Sequence, residues 1–262
     1  MKTIFATDLD NTLIFSYKHC GSDDFCVEYI DGKPQSFMTQ KAKWLFGEAV
    51  AASKDLMLIP VTSRSLEQYM RIKFPSQAVP EYAVTTNGAL LLRKGLVDQS
   101  WRDESMKLVD PWRKEISKIY GCLSSHHEIK SFRIVDDAYL YAVCVNYESA
   151  SAIGTFYQNR TELTVAASGR KVYFFPPLLN KGEAVRRLLN KLDVNNSISA
   201  GDSIIDEPML LTTNTAIIPN EYVWSAKEHG NFLRCPVDKR FSEFVLEQVI
   251  NKTGNAKCCQ PT

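Results

Sequence analysis

Ile4-Phe5-Ala6-Thr7-Asp8-Leu9-Asp10-Asn11-Thr12-Leu13 runs from a short apolar stretch straight into two carboxylates and a hydroxyl. Ile4 to Thr7 reads as a buried strand, and Asp8 and Asp10, two residues apart, fall on one side if the backbone stays extended through Leu9. Like charges that close repel, so the pair requires either a cation between them or a proton on one carboxyl. Either arrangement supports chemistry: one carboxylate can attack an electrophile while its neighbour moves a proton. A solvated turn with Thr12 as a helix cap accounts for the same triplet.

Outward from this stretch, short apolar runs alternate with helical patterns in the first and last thirds of the chain, the signature of an α/β fold with a parallel sheet covered by helices. Candidate core strands are Thr3 to Thr7, Leu56 to Thr62, Tyr82 to Thr85, Ile198 to Ala200, Ala216 to Pro219 and Asn231 to Cys235. Helices are expected over Thr39 to Ser53, Lys181 to Leu192 and Phe241 to Asn251, where apolar residues recur on one face. The middle reads differently. Strand patterns at Phe132 to Val135, Tyr139 to Tyr147 and Val172 to Phe175, with helical segments at Pro111 to Tyr120 and Ser149 to Asn159, predict an α+β insert. Val27 to Ile30 followed by Asp31-Gly32 predicts a hairpin, either overhanging the acid pair or serving as a plain structural flap.

Composition narrows the partner. With 262 residues, 31 basic against 30 acidic side chains and a net charge of +1, the chain has no basic field to attract nucleic acid or an anionic membrane. A small molecule is the expected partner, and no obligatory protein partner is evident. No apolar run approaches the ~20 residues of a membrane helix, and Met1-Lys2 leads directly into a strand, so a cytoplasmic location is expected. The 7 cysteines are odd in number and lack CxxC pairing, which fits reduced thiols better than a disulfide framework or zinc site. Cys258 and Cys259 fall in what reads as a frayed tail.

Three further polar clusters lie at expected strand ends or helix starts, where ligands of open parallel sheets bind. Thr62-Ser63-Arg64-Ser65 offers a hydroxyl and free amides for a phosphate oxygen, or an ordinary helix cap. Asn180-Lys181-Gly182-Glu183 opens a helix, and Lys181 taken alone reads as a surface lysine. Gly201-Asp202-Ser203-Ile204-Ile205-Asp206 leaves a buried strand with two acids four apart, enough to add a hard oxygen shell for Mg²⁺ beside Asp8; Asp206 can equally cap the next helix.

These four clusters, in this order and across essentially the whole chain, resemble the motifs of the haloacid dehalogenase (HAD) superfamily of phosphohydrolases. Asp8-Leu9-Asp10-Asn11-Thr12 matches its Asp-x-Asp-x-Thr, Thr62-Ser63-Arg64 its second motif, Lys181 its basic residue, and Gly201-Asp202 with Asp206 its fourth motif. The resemblance implies a Rossmann-like parallel-sheet core over residues 1–88 and 178–262, with an α+β cap of the C2 type over 89–177. Thr85-Thr86-Asn87-Gly88-Ala89 before the insert is similar to the Cof-like and sucrose- or trehalose-phosphate phosphatase branches. Two departures stand out: Ile205 replaces the Asn common before the fourth-motif acid, and Ser63 the Gly common after the second-motif threonine.

The implied activity is Mg²⁺-dependent hydrolysis of a small phosphorylated metabolite such as a sugar phosphate. Asp8 would be the nucleophile, Asp10 the general acid and base, and Lys181 the cation that pairs with Asp8. Thr62 or Ser63, with Arg64, Asn87 and Gly88, would hold the phosphate. Asp8, Asp10 through its carbonyl, Asp202 and Asp206 would hold the metal. A phosphomutase or phosphotransferase would use the same phosphoaspartate, and a non-catalytic sugar-phosphate-binding module would keep the same pocket. Arg170 and Lys171, just before the return strand of the insert, read as substrate contacts or, more ordinarily, as surface cations.

Overall fold

The computed structural model describes residues 2–52, 54–75, 78–223 and 231–252. In chain order its strands and helices are β1 (Thr3–Thr7), β2 (Phe15–Ser16), β3 (Phe25–Ile30), β4 (Lys33–Met38), α1 (Gln40–Ala51), β5 (Leu56–Pro60), α2 (Leu66–Met70), β6 (Tyr82–Thr85), β7 (Leu90–Arg93) and β8 (Leu96–Val97). Then come α3 (Gln99–Val109), α4 (Arg113–Leu123), β9 (Ile129–Val135), β10 (Tyr139–Cys144), α5 (Tyr147–Gln158), β11 (Thr164–Ser168) and β12 (Lys171–Phe175). The chain closes with α6 (Lys181–Leu192), β13 (Asn196–Ala200), α7 (Glu207–Thr212), β14 (Thr215–Ile218), β15 (Asn231–Arg234) and α8 (Phe241–Lys252).

β15, β14, β13, β1 and β5 form a parallel sheet in that order, so β1 is buried between β13 and β5. Its residues alternate between two apolar layers. Phe5 packs with Leu45 and Phe46 of α1 and with Val245 and Val249 of α8, whereas Ile4 and Ala6 pack with Val185 and Leu188 of α6 and Met209 of α7. Burial on both faces explains why β1 and β5 read as continuous apolar runs rather than alternating ones. The carboxyl ends of β1, β5 and β13 come out together, delivering Asp8, Thr62 and Asp202 to one edge.

A second sheet, β11-β12-β10-β9, is antiparallel. Leu140, Ala142, Val172 and Phe174 meet Ile116 and Ile119 of α4 and Ile153 of α5, so the helices cover the even-numbered face. The odd-numbered face, with Tyr139, Tyr141 and Tyr173, turns toward the carboxyl edge of the parallel sheet. A third sheet, β2-β4-β3, is the expected hairpin; Asp31 and Gly32 both have positive φ (51° and 74°), the backbone of a tight two-residue turn.

Several expectations need correction. Tyr82–Thr85 is a strand but lies outside the five-stranded sheet, pairing antiparallel with β7 and joined to the residue after β5 by the isolated Val61–Val84 bridge. Thr86, Asn87 and Gly88 all have positive φ, which folds the chain back on itself there. The strand expected to reach Tyr147 stops at Cys144, because the Asn146 side chain accepts the Ser149 N–H at 2.8 Å and starts α5. Strand β11 and helix α3 were not anticipated. Of the expected ends, Ser53, Cys258, Cys259 and the tail lie outside the described residues.

Candidate active site

Lys181 is the first residue of α6, where the helix dipole disfavours a cation. It is nevertheless 2% exposed, because two carboxylates hold it: Asp8 Oδ1 at 2.5 Å and Asp206 Oδ1 at 2.6 Å. Asp8 reaches the ammonium from the end of β1, where its own N–H extends the ladder to Ala200 O at 2.9 Å. Thus three segments far apart in sequence meet at one nitrogen.

Asp206 has a second task. Its Oδ2 accepts the Asp202 N–H at 3.1 Å and both the N–H and hydroxyl of Ser203 at 2.9 Å, so one carboxylate ties the loop after β13 to Lys181. It opens α7 by position but makes no side-chain cap there. A Cβ on Gly201 would stand 2.4 Å from Asp206 Cβ, and one on Gly182 would stand 2.3 Å from Pro208 O. Neither contact is sterically possible, so both glycines are required for α6, α7 and this loop to approach so closely. Ile205, standing where the resemblance suggests Asn, joins the apolar cluster of Tyr139, Tyr173 and Phe175.

Asp10 turns the other way. Arg64 donates to it from Nε and Nη2, both at 2.8 Å, and from Nη1 reaches Glu28 Oε2 at 2.9 Å. Glu28 is buried on the hairpin, where Ser36 Oγ at 2.8 Å and Arg71 Nε at 3.2 Å also hold it. The hairpin therefore overhangs the site and anchors the arginine that meets Asp10.

Asp8, Asp10, Ser63, Arg64, Lys181 and Asp202 all line a cavity of about 480 Å³ between the parallel sheet, the hairpin and the odd face of the second sheet. Thr62, Asn87 and Gly88 do not line it. Thr62 is fully enclosed and its hydroxyl accepts the Arg64 N–H at 3.1 Å; Asn87 donates to Leu179 O at 2.9 Å, and the Gly88 carbonyl accepts the Trp101 indole N–H at 3.0 Å. These contacts give the three residues structural duties, with Thr62 setting the turn that presents Ser63 and Arg64. Sequence reasoning missed Glu28, Arg71, Tyr139, Tyr141 and Tyr173, although the alternation in Tyr139–Cys144 contained the signal for two of the tyrosines. Tyr139 donates its hydroxyl to Ser63 O at 2.5 Å, and Asp136 Oδ2 accepts the Leu66 N–H at 3.0 Å and the Thr86 hydroxyl at 2.5 Å, joining the two sheets beside the cavity.

The electrostatics separate the two acids of the opening motif. Burial pushes the Asp8 carboxyl well above its usual range; Lys181 opposes this, and the nearby acids reinforce it. Burial also works against ionisation of Asp10, but the charge and two hydrogen bonds of Arg64 outweigh it and hold this carboxyl below its usual range. Asp202 is pushed up to about 7 by burial and by neighbouring Asp206.

Asp8, Asp202 and Asp206 each place a carboxylate oxygen within 4.8 Å of the others. Three carboxylates against the single Lys181 ammonium leave two negative charges unbalanced, and an oxygen-only donor set of this kind suits a hard divalent cation. Both oxygens of Asp206 already have partners, so Asp8 and Asp202 have the greater capacity to spare. The Asp10 carboxylate belongs to Arg64, leaving only its carbonyl for the role expected of it.

No protein-family model matches the chain, and no curated protein matches it by sequence. Solved structures do match in fold. A sucrose-phosphatase from Synechocystis, in complex with sucrose and phosphate, superposes with a TM-score of 0.65 at 15% identity over 97% of this chain and 99% of that one. A haloacid dehalogenase-like hydrolase from B. subtilis gives 0.59 at 16% identity over 95% and 99%. A trehalose-6-phosphate phosphatase related protein gives 0.54 at 13% identity, covering 97% of each chain. The chain has the fold of the haloacid dehalogenase-like hydrolases: a Rossmann-like parallel sheet with an additional antiparallel sheet over its carboxyl edge.

Proposed function

We propose that this protein is a Mg²⁺-dependent hydrolase of small phosphomonoesters, working through a phosphoaspartate on Asp8. The observation that carries the reading is the Asp8–Lys181–Asp206 array beside Asp202, with Asp8, Lys181 and Asp202 lining one cavity at the strand ends and Asp206 buried behind them. Asp8 and Asp202, with the Asp10 carbonyl, would hold the Mg²⁺, and Asp206 would fix their loop. When bound, the metal supplies positive charge for the transferring phosphoryl oxygens.

Asp8 attacks phosphorus, the bond from phosphorus to the leaving oxygen breaks, and Asp10 gives that oxygen a proton. Asp10 then takes a proton from water, whose oxygen attacks phosphorus and returns Asp8 as a carboxylate with inorganic phosphate released. The first role needs a proton on Asp10, so Arg64 must turn from Asp10 toward the phosphoryl oxygens as substrate enters; its place on the cavity wall supports that exchange. Lys181 meets charge on the same oxygens and orients Asp8. Ser63 and the adjacent amides replace Thr62 as the proposed phosphate contact.

The similarity to a sucrose-phosphatase and a trehalose-6-phosphate phosphatase related protein supports a phosphorylated sugar or sugar derivative as substrate. We also propose that residues 89–177 form the cap. Most of the second apolar cluster lies between Val109 and Leu179, although Leu91 and Trp101, near the start of the proposed cap, pack with Ile4 and Ile59. A cytoplasmic location is supported by Cys20, Cys26, Cys122, Cys144 and Cys235 being free thiols. Among the described residues no helix is long and apolar enough to cross a membrane.

The test is phosphate release from a panel of phosphomonoesters, with Mg²⁺ or EDTA, by the wild type and Asp8→Asn. Metal-dependent release that falls at least about a thousandfold in the variant is expected, with the melting temperature maintained. Residual turnover near wild type would remove the covalent mechanism, and transfer to an added sugar in place of release into water would make the protein a phosphotransferase.

A further inference from the structure

Charges around the cavity pair off, apart from one carboxylate and two cations. Lys181 meets Asp8 and Asp206; Arg64 meets Asp10 and Glu28; Arg71 meets Glu28 and Glu67. The carboxylate left over, Asp202, is one of those proposed for the metal. On the opposite wall, Arg170 and Lys171 line the same cavity, and neither side chain has a hydrogen bond or ion pair among the described residues.

Their placement follows from the second sheet. Ser168 pairs with Lys171 across a two-residue turn in which Gly169 has a φ of 56°, and Cys144 donates to Arg170 O at 2.7 Å, fixing the hairpin end against β10. Strand alternation then puts Lys171 on the face of Tyr173, Tyr141 and Val143, all of which line the cavity, while Val172 is buried on the helix side. Lys171 Nζ stands 5.7 Å from the Tyr141 ring centroid, and Arg133 lies 5.5 Å from the same centroid. The wall facing Asp10 is therefore aromatic at its base and cationic at its rim. Partial desolvation there pushes the Lys171 ammonium below its usual range, with Asp10 opposing the shift and Arg64 and Arg133 adding to it.

A monoester phosphate draws on Lys181, Arg64 and the metal for its own charge. That leaves Lys171 and Arg170 facing the leaving-group side, where a neutral sugar gives them nothing to neutralise. We propose that Lys171, with Arg170 beside it, binds a second anionic group, carboxylate or phosphate, on the leaving-group side, so that phospho-carboxylates and bisphosphates are preferred over neutral sugar phosphates. This rests on the phosphatase reading, which it deepens.

The test compares 3-phosphoglycerate with glycerol 3-phosphate, and glucose 1,6-bisphosphate with glucose 6-phosphate, in the wild type, Lys171→Ala, Lys171→Arg and Arg170→Ala. In the wild type, kcat/KM for the member with the extra charge exceeds that of its partner by about tenfold or more, as for a hydrogen bond to a charged group. Lys171→Ala brings the ratio close to one, Lys171→Arg retains most of it, Arg170→Ala lowers it in part, and added salt erodes it. The carboxylate and phosphate arms show which anion is preferred.

A wild-type ratio near or below one, or a ratio unmoved by Lys171→Ala in a variant that melts like the wild type, overturns the proposal. If none of these compounds nor p-nitrophenyl phosphate is hydrolysed, the phosphatase reading falls by itself. Calorimetric titration of the same pairs in Mg²⁺ then decides the second-anion site on the same affinity ratio and its loss in Lys171→Ala.

Discussion

Arg64 grips both oxygens of Asp10 at 2.8 Å while its third nitrogen is tied to buried Glu28, so the hairpin and the loop after β5 together determine which way Asp10 faces. A lysine cannot reproduce that planar fork. In Arg64→Lys, kcat/KM should fall about tenfold or more, because the phosphoryl group, to which the guanidinium turns as substrate enters, loses a two-point contact. Steady-state kinetics on p-nitrophenyl phosphate will show this, and an unchanged value would mean that the arginine is only structural.

Lys181→Met leaves Asp8 and Asp206 facing each other in a buried site without their cation. Breaking a buried pair in this way costs about 3–5 kcal/mol. Urea denaturation should show that loss, and Mg²⁺ should restore part of it, since a cation bound only by the folded chain adds stability.

At Gly201 a methyl group would overlap Asp206. Gly201→Ala should destabilise the fold by about 1–3 kcal/mol as an overpacked site does, and it should weaken Mg²⁺ binding by displacing the Asp202-Ser203 loop. Thermal melts with and without Mg²⁺ separate the two effects.

Asp98 caps α3, accepting the Trp101 N–H at 3.0 Å and pairing with Lys191 at 3.1 Å, and these contacts lower its carboxyl pKa, the hydrogen bond most strongly. Folding therefore favours the ionised form. The stability this adds is complete above the unfolded value of about 3.9 and disappears as the pH falls through the lower folded value. Asp98→Ala should cost about 1 kcal/mol at neutral pH, and the difference should close in strong acid when melts are compared across the range.

The alternation of strands and helices, the acids at the ends of β1 and β13, and Lys181 at the start of α6 were legible because each depends on local pattern: a buried run, a polar break, a helix start. Where tertiary pairing decides, local pattern was insufficient. Tyr82–Thr85 looks like any core strand until its turn folds it onto β7. Asn87 and Gly88 look exposed and polar, yet lie buried under Leu179 and Trp101. Glu28 carries no mark in sequence that would join it to Arg64, 36 positions later by residue number and on a different element. Lys171 reads as an ordinary solvated lysine and is indeed exposed, but only the second sheet shows that it stands on the face that lines the cavity.

The placement of β1 in the middle of its sheet also bears on synthesis. Its β5 side can be completed early, but β13 follows only after the roughly 135 residues between Pro60 and Asn196 have been made. At about 5–20 residues per second, the nascent chain carries one open edge of an apolar strand for roughly 7–30 seconds, with Asp8 beside it and Lys181 and Asp202 still untranslated. An unpaired edge of that kind invites pairing with other chains, so yield on expression should depend on translation speed and chaperone supply more than the finished fold would suggest.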